Sequence, residues 1–361
     1  MKFTIKTEKL QEMVSRAVKG CSNNKMIPIT GLMSIELSNN DLILTTTDAS
    51  NYLYIIEDKI AGEDFSIVVQ ADTFSKLVSR MTTENIELEL KGEELIVHGN
   101  GKYNIELPLD EEGGLIKFPK VWSNEMNMPN TYDVHLTTIK ELLTYNKPAL
   151  ATSLDVPCYT GYYMGDKVVT TDTYKICSTD VKLFDEPMLI APEMMDLLDV
   201  MSDENITVSV DDNVLVFVTP DCVVYGKTLE GVDTYKIDAI SSLLEHDYPC
   251  ECSVSRDNML QALDRLSLFV GPYDKSGIRM LYTKDGIMLS NIKYNSTEVV
   301  PYKSSENFKE FSCCINIDML QTQVKAHVLD EIHIFYGLDN AVKIEDGIVT
   351  QLIAYEEEKA S

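Results

Sequence analysis

Three kinds of side chain in this sequence could do chemistry, and their spacing decides what each can do. Asp48 and Asp172 each close an apolar run, in Thr46-Thr47-Asp48 and Thr170-Thr171-Asp172. Paired carboxylates can serve as general acid and base. These two follow strand-like runs and precede turns, where Asx and threonine turns use the same residues to satisfy backbone amides. Cysteines form two close pairs, Cys250/Cys252 and Cys313/Cys314, with no C-x-x-C and no histidine beside them. Tetrahedral zinc needs another spacing, and in strand-like stretches cysteine packs as a small hydrophobe. No Ser/His/Asp grouping, metal-ligand spacing or phosphate loop gathers the five histidines. The expectation is therefore no catalytic residue, no metal and no cofactor, in a protein that is not an enzyme.

The third kind is basic, and it recurs on helical spacing. Lys9, Arg16 and Lys19, with Glu12 among them, lie opposite Leu10, Met13, Val14, Ala17 and Val18. Lys76 and Arg80 lie four apart, opposite Phe74, Leu77, Val78 and Met81. Further helices contribute Lys140 and Lys147, then Arg256, Arg265 and Lys325. These groups stand out because the chain has only 31 basic residues against 58 acidic ones, a net charge of -27. Net acidity argues against a protein that grips phosphates over its whole surface, but it does not report where charge lies. A solvated helix face has the same spacing, so both readings stand at this point. One helix, from Pro192 to Asp199, carries only acids on its polar side.

The elements that position these groups repeat three times over 361 residues. A short strand and an amphipathic helix open at Lys2, at Tyr132 and at Glu251, and a second helix begins near Asp72, Pro192 and Ile317. Alternating runs such as Ile86-Glu87-Leu88-Glu89-Leu90 mark sheets with one buried face. The reading is an α+β fold of three similar domains, each a sheet plus two helices, at 1–122, 131–249 and 250–355. A polar, acidic tail follows at 356–361. No apolar run is long enough to span a membrane, and Met1-Lys2-Phe3-Thr4-Ile5 lacks a signal-peptide layout, so a cytoplasmic location is expected.

With these residues in view, the chain resembles the bacterial DNA polymerase III beta subunit, the sliding clamp. The Met1–Ile5 opening, Ile27-Pro28-Ile29, Thr46-Thr47-Asp48 and Phe118-Pro119 match the first domain of that family. Thr171-Asp172-Thr173-Tyr174-Lys175-Ile176 is similar to its Thr-Asp-Gly-His-Arg-Leu. Gly277-Ile278-Arg279-Met280 and Val342–Asp346 match its third domain. The resemblance implies a DNA clamp fold closing as a head-to-tail dimeric ring around duplex DNA. The ring would hold DNA without sequence specificity and tether a replicative polymerase, with a clamp loader to open it. In that frame the helix-borne bases Lys9, Arg16, Lys19, Lys76, Arg80, Lys140, Lys147, Arg256, Arg265 and Lys325 face DNA.

The resemblance also implies a groove between the second and third domains for short partner motifs. Its matching positions are Tyr159, Thr171, Thr173, Tyr174, Lys175, Ile176, Ile315, Ala341, Val349, Thr350, Gln351, Leu352 and Ile353. Departures are Thr173 for a glycine, Lys175 for an arginine, and Val232-Asp233-Thr234-Tyr235 for a proline-containing stretch. Subunit contacts carry over to the Tyr103–Leu107 strand, with Tyr103 and Ile105 facing Phe269 and Val270 of the other copy. Three alternatives remain: a clamp of the trimeric two-domain type, a monomeric motif-binding scaffold, and a hydrolase using Asp48 and Asp172.

Overall fold

A computed structural model describes residues 1–22, 24–123, 126–270, 277–291, 296–338 and 340–355; the 356–361 tail lies outside the described residues. Strand β1 (Lys2–Lys6) runs into helix α1 (Thr7–Ala17). Strands β2 (Leu32–Ser38), β3 (Asp41–Thr47), β4 (Tyr52–Glu57) and β5 (Phe65–Gln70) lead to α2 (Ala71–Val78). The first series ends with β6 (Asn85–Lys91), β7 (Glu94–His98) and β8 (Lys102–Glu106). The same order follows in β9 (Thr131–His135), α3 (Leu136–Asn146), β10 (Tyr162–Met164), β11 (Val168–Thr171), β12 (Lys175–Thr179) and β13 (Met188–Ile190). It continues through α4 (Pro192–Leu197), β14 (Asn205–Asp211), β15 (Val214–Thr219) and β16 (Cys222–Lys227). After α5 (Ile237–Leu244), the third series is β17 (Cys250–Ser255), α6 (Arg256–Ser267), β18 (Ile278–Tyr282), β19 (Gly286–Asn291), β20 (Thr297–Glu306) and β21 (Phe311–Ile315). It closes with α7 (Ile317–Ala326), β22 (Glu331–Tyr336), β23 (Ala341–Asp346) and β24 (Val349–Ala354). The α+β class read from the sequence is the class observed.

Local chemistry explains these elements. In α1 the buried residues are Thr7, Leu10, Met13, Val14 and Ala17, the three-and-four spacing of one apolar stripe. Helices α6 and α7 start where Ser255 and Asn316 side chains accept hydrogen bonds from the backbone N–H of Asn258 and Met319. In β6, Ile86 and Leu88 are buried while Asn85 and Lys91 are exposed.

The chain packs as two compact units. One comprises Met1–Thr137 with Glu193–Thr228, the other Thr138–Pro192 with the chain from Leu229 onward. The first holds a four-stranded sheet, β1-β6-β7-β8, and an eight-stranded sheet, β5-β2-β3-β4-β16-β15-β14-β9. In the second, one sheet of twelve strands runs β13-β10-β11-β12-β24-β23-β22-β17-β20-β19-β18-β21. Its core joins Met259, Leu263 and Leu266 of α6 and Leu320 and Val324 of α7 to Tyr282, Tyr336 and Ile334 of the sheet. The expected 131–249 segment contributes strands to both units, because β16 pairs with β4 and β12 pairs with β24.

Candidate nucleic-acid interface and partner groove

The ten basic side chains read onto helix faces differ in their freedom. Lys19, Arg80, Lys140 and Lys325 are exposed and hold no ion pair among the described residues; Lys147 is exposed as well. Lys76 is bound by Asp72 at 2.7 Å, and Arg265 reaches both oxygens of Glu298 at 2.7 and 3.0 Å. Lys9 lies 2.8 Å from Glu57 and 3.4 Å from Glu12. Arg256 turns inward to donate to the Lys325 carbonyl at 3.1 Å and to Asp257 at 3.2 Å. Lys19 and Lys147 sit in 3-10 turns beyond α1 and α3, and Arg80 follows the end of α2. Pro148, which cannot donate a backbone hydrogen bond, stands where α3 gives way to its turn.

Arg16 does not have the free, outward position expected of it. Its side chain is only 13% exposed, with Nη1 2.6 Å from Asp221 and Nε donating to the Val200 carbonyl at 3.0 Å. Helical spacing placed it on the polar side of α1, but its partner lies 205 residues further along the chain. Burial pushes the Asp221 carboxyl up; the hydrogen bond and charge of Arg16, with Thr219 and Ser202, more than offset this and hold it below the carboxylate reference of 3.8. A depressed pKa stabilises the fold above that reference, and the contribution is lost as pH falls through the folded value. Replacing Arg16 with alanine is expected to cost about 2 kcal/mol at neutral pH, since it strands a half-buried carboxylate. Urea titration of the variant and parent at pH 7 and pH 3 should show the gap shrinking in acid.

The Thr-Asp steps are turn devices. Asp48 Oδ1 accepts from the N–H of Ser50 and Asn51 at 2.8 and 2.7 Å, and Thr47 Oγ1 donates to the Asn51 carbonyl. Asp172 Oδ1 accepts from Tyr174 and Lys175 at 2.9 and 2.7 Å, and Thr171 Oγ1 donates to the Lys175 carbonyl. One residue earlier, Thr46 and Thr170 donate to the carbonyls of Ala17 and Asn146, tying strand to helix end. Asn291 performs that second task in the third series by donating to Phe269 O. These turns hold Ala49 and Thr173 at φ of 85° and 78°. The left-handed region is costly for a β-branched residue. Thr173→Gly is therefore expected to raise stability by about 1 kcal/mol, read as a higher urea midpoint with unchanged slope.

Apart from Ile315, which lies on β21 paired with β18 at the far end of the sheet, the groove positions lie in the second unit around the β12–β24 ladder, where Ile176 faces Leu352 and Lys175 faces Ile353. They do not form an open slot. Tyr159, Thr171, Ile176, Ile315, Val349, Gln351, Leu352 and Ile353 are buried, whereas Thr350 and Ala341 are half-buried. Lys175 folds back to donate to the Pro148 carbonyl at 2.5 Å and lies 3.3 Å from Asp172, so it too presents no free cation. Exposure is confined to Thr173 and Tyr174, the latter 63% accessible. The departing Val232–Tyr235 stretch supplies the filling residue, a role its sequence does not announce: Tyr235 is stacked on Tyr163 at 4.8 Å and set edge-on to Tyr159 at 5.1 Å. Its hydroxyl donates to the Val169 carbonyl at 3.1 Å, and burial pushes the phenol up. Helix α5, which adds Ile237, Ile240 and Leu244 to this cluster, was also missed, although its apolar residues fall at helical spacing.

The expected subunit contacts are exposed or half-buried. β8 borders its sheet, with Tyr103 37% exposed and Ile105 half-buried, which argues against their being ordinary core residues. Phe269 is 48% exposed just after α6, beside half-buried Val270. No described group of three or more His, Cys, Asp or Glu is placed to hold a metal ion. No described helix is long and apolar enough to cross a membrane.

This repeated strand–helix architecture is a DNA-clamp fold. It superposes on the DNA polymerase sliding clamp of Bacillus subtilis with a TM-score of 0.86 and 21% identity, covering 99% of this chain and 100% of that one. For the DNA polymerase III beta chain of Streptococcus pneumoniae the TM-score is 0.87 at 15% identity, covering 99% and 100%. The chain is similar along nearly its whole length to DNA polymerase III beta subunits, at low sequence identity. Residues 1–112 match the family described as DNA polymerase III beta subunit, N-terminal domain. The Beta sliding clamp of Staphylococcus epidermidis is 22% identical over 386 residues, covering 98% of both chains, and that of Bacillus subtilis is 24% identical over 291 residues, covering 74% of both.

Proposed function

We propose that this protein is a DNA polymerase processivity factor: two copies close head to tail into a ring around duplex DNA. Its three clamp domains are 1–122, 131–249 and 250–355. The carrying observation is a series of strand seams. In the first, β4 pairs antiparallel with β16; in the second, β12 pairs antiparallel with β24. The next members of the two series are β20 and β8. Within β20, Thr297–Pro301 pair with β19, while Tyr302–Glu306 face β17. The second side of Thr297–Pro301 and the outer edge of β8 thus complete the series only between two copies. Head-to-tail pairing of this kind closes when the rotation returns to its start. It also covers strand edges that would otherwise invite aggregation.

Within the ring, Lys19, Arg80, Lys140, Lys147 and Lys325 supply weak, sequence-independent phosphate contacts. Retention comes from topology, so the contacts can be few and a net charge of -27 does not forbid DNA. A replicative polymerase and a clamp loader dock through short motifs beside the β12–β24 seam, where Thr173 and Tyr174 are exposed, and the clamp raises polymerase concentration at the primer end. It acts in the cytoplasm by tethering and performs no chemistry. Sedimentation equilibrium tests the assembly. The expected mass is twice 40.7 kDa, and a monomer at micromolar protein would contradict the ring.

A further inference from the structure

In the second unit the β12–β24 ladder places Cys177 opposite Gln351, and a histidine stands behind them. His327 follows the last turn of α7 and is buried, as are Asp346 of β23, Gln351 and Cys177. Its ring is held on both sides. Nδ1 lies 3.2 Å from Asp346 Oδ2, an oxygen that also accepts the Val328 and Leu329 N–H groups at 3.2 and 3.3 Å. Nε2 lies 3.0 Å from Gln351 Oε1, and Gln351 Nε2 lies 3.9 Å from Cys177 Sγ. The four side chains form one line of polar contacts from the end of α7 across the seam. In the β4–β16 seam of the first unit, apolar Leu53 faces apolar Val224 instead.

With an oxygen on each side, the ring can carry a proton on both nitrogens. Gln351 also allows the other arrangement. Turned by half a revolution, its amide donates from nitrogen to Nε2 and accepts the Cys177 S–H at oxygen, and the neutral ring keeps its one proton on Nδ1 toward Asp346. The two protonation states of His327 are thus two hydrogen-bond polarities of one line, and the amide carries the difference across the seam. Surrounding charge decides between them. Burial is the largest influence and holds the ring's basicity below the histidine reference of 6.5; Arg256 of α6 acts the same way, while Asp346 and the hydrogen bond to Gln351 oppose it without prevailing. Tyr145 of α3, packed on Cys177, and Cys177 itself are both pushed up by burial and stay uncharged. A basicity lowered by folding leaves stability complete above the reference and removes it as pH falls toward the folded value. We propose that His327 is a proton-sensitive latch of the β12–β24 seam: neutral, it holds Gln351 against Cys177, and protonation in mild acid reverses the amide and lets the ladder open more readily. The Tyr174 carbonyl accepts from Ala354 N–H at 2.8 Å, so opening releases the exposed Thr173–Tyr174 turn as well.

Hydrogen–deuterium exchange of the full-length protein, read by mass spectrometry and corrected for the intrinsic rate at each pH, gives the opening constant of each strand. Between about pH 7.5 and about pH 5.5, peptides covering 175–179 and 349–354 should come to open about threefold or more readily. Peptides covering 52–57 and 222–227, from the β4–β16 seam, should change by less than about twofold. His327→Asn keeps an N–H donor toward Asp346 but does not titrate, so it should flatten the response of the β12–β24 seam. Gln351→Glu should invert the response, because a carboxylate beside Nε2 favours the protonated ring and makes opening easier at the higher pH. Equal acid responses in the two seams, a β12–β24 seam that does not respond, or a response unchanged by Gln351→Glu would each overturn the proposal.

Discussion

Asn104→Pro is expected to convert the dimer into monomers while leaving the monomer folded. The backbone of β8 explains why this position separates the two outcomes. Leu107 N–H bonds to the Glu93 carbonyl, and Gly99 N–H bonds to the Gly101 carbonyl. Alternation along an antiparallel ladder then turns the N–H groups of Tyr103 and Ile105 toward β7 and that of Asn104 toward the free edge. Proline at Asn104 removes an outward donor without cutting the β7 ladder, a placement edge strands tolerate. The outward donor is the one a partner's β20 would use. Together with the steric intrusion of the ring into the seam, its loss should weaken dimerisation about 100-fold or more. Sedimentation reads the mass and circular dichroism the fold. A dimer that survives Asn104→Pro would place the contact elsewhere.

The second large effect concerns DNA. Replacing Lys19, Arg80, Lys140 and Lys325 together by glutamine should flatten the salt dependence of DNA association. Each phosphate contact contributes a slope of about 0.9 in log K against log salt for duplex DNA. Losing several contacts should reduce the slope by roughly two to four and weaken association by more than about tenfold at low salt. Lys76 and Arg265 make the control, because Asp72 and Glu298 already neutralise them. Their glutamine variants should change the slope by less than about one. An unchanged slope in the fourfold variant, measured by fluorescence anisotropy on a labelled duplex, would remove these residues from the DNA face.

Much of the fold was legible because its signals are local. Alternation in Ile86–Leu90 and helical spacing in Leu10–Ala17 are set by the face each element must bury, and both survive without knowing the neighbours. The Thr47-Asp48 and Thr171-Asp172 turns were legible for the same reason, since their hydrogen bonds reach only three or four residues. What failed was long-range. Nothing near Arg16 announces that Asp221 will claim it, and a cation on the polar side of a helix looks the same whether water or a carboxylate faces it. The groove was placed on one seam by resemblance, but its filling by Tyr235 depends on a segment whose register against Tyr159 and Tyr163 only the folded chain sets. Departures from the family at Thr173, Lys175 and Val232–Tyr235 cluster there. Those positions form a strained turn, a folded-back amine and the entry to α5.

The most direct test of the clamp reading is retention on DNA whose ends can be closed. Protein equilibrated with a linear duplex at low salt is passed through a sizing column at high salt, after both ends have been blocked with a bulky protein cap. The expected result is coelution with the blocked duplex and release once a restriction enzyme cuts it, because topology holds the ring where phosphate contacts are screened. Equal release from blocked and open duplex would mean that the protein binds DNA only by contact, and it would contradict the ring.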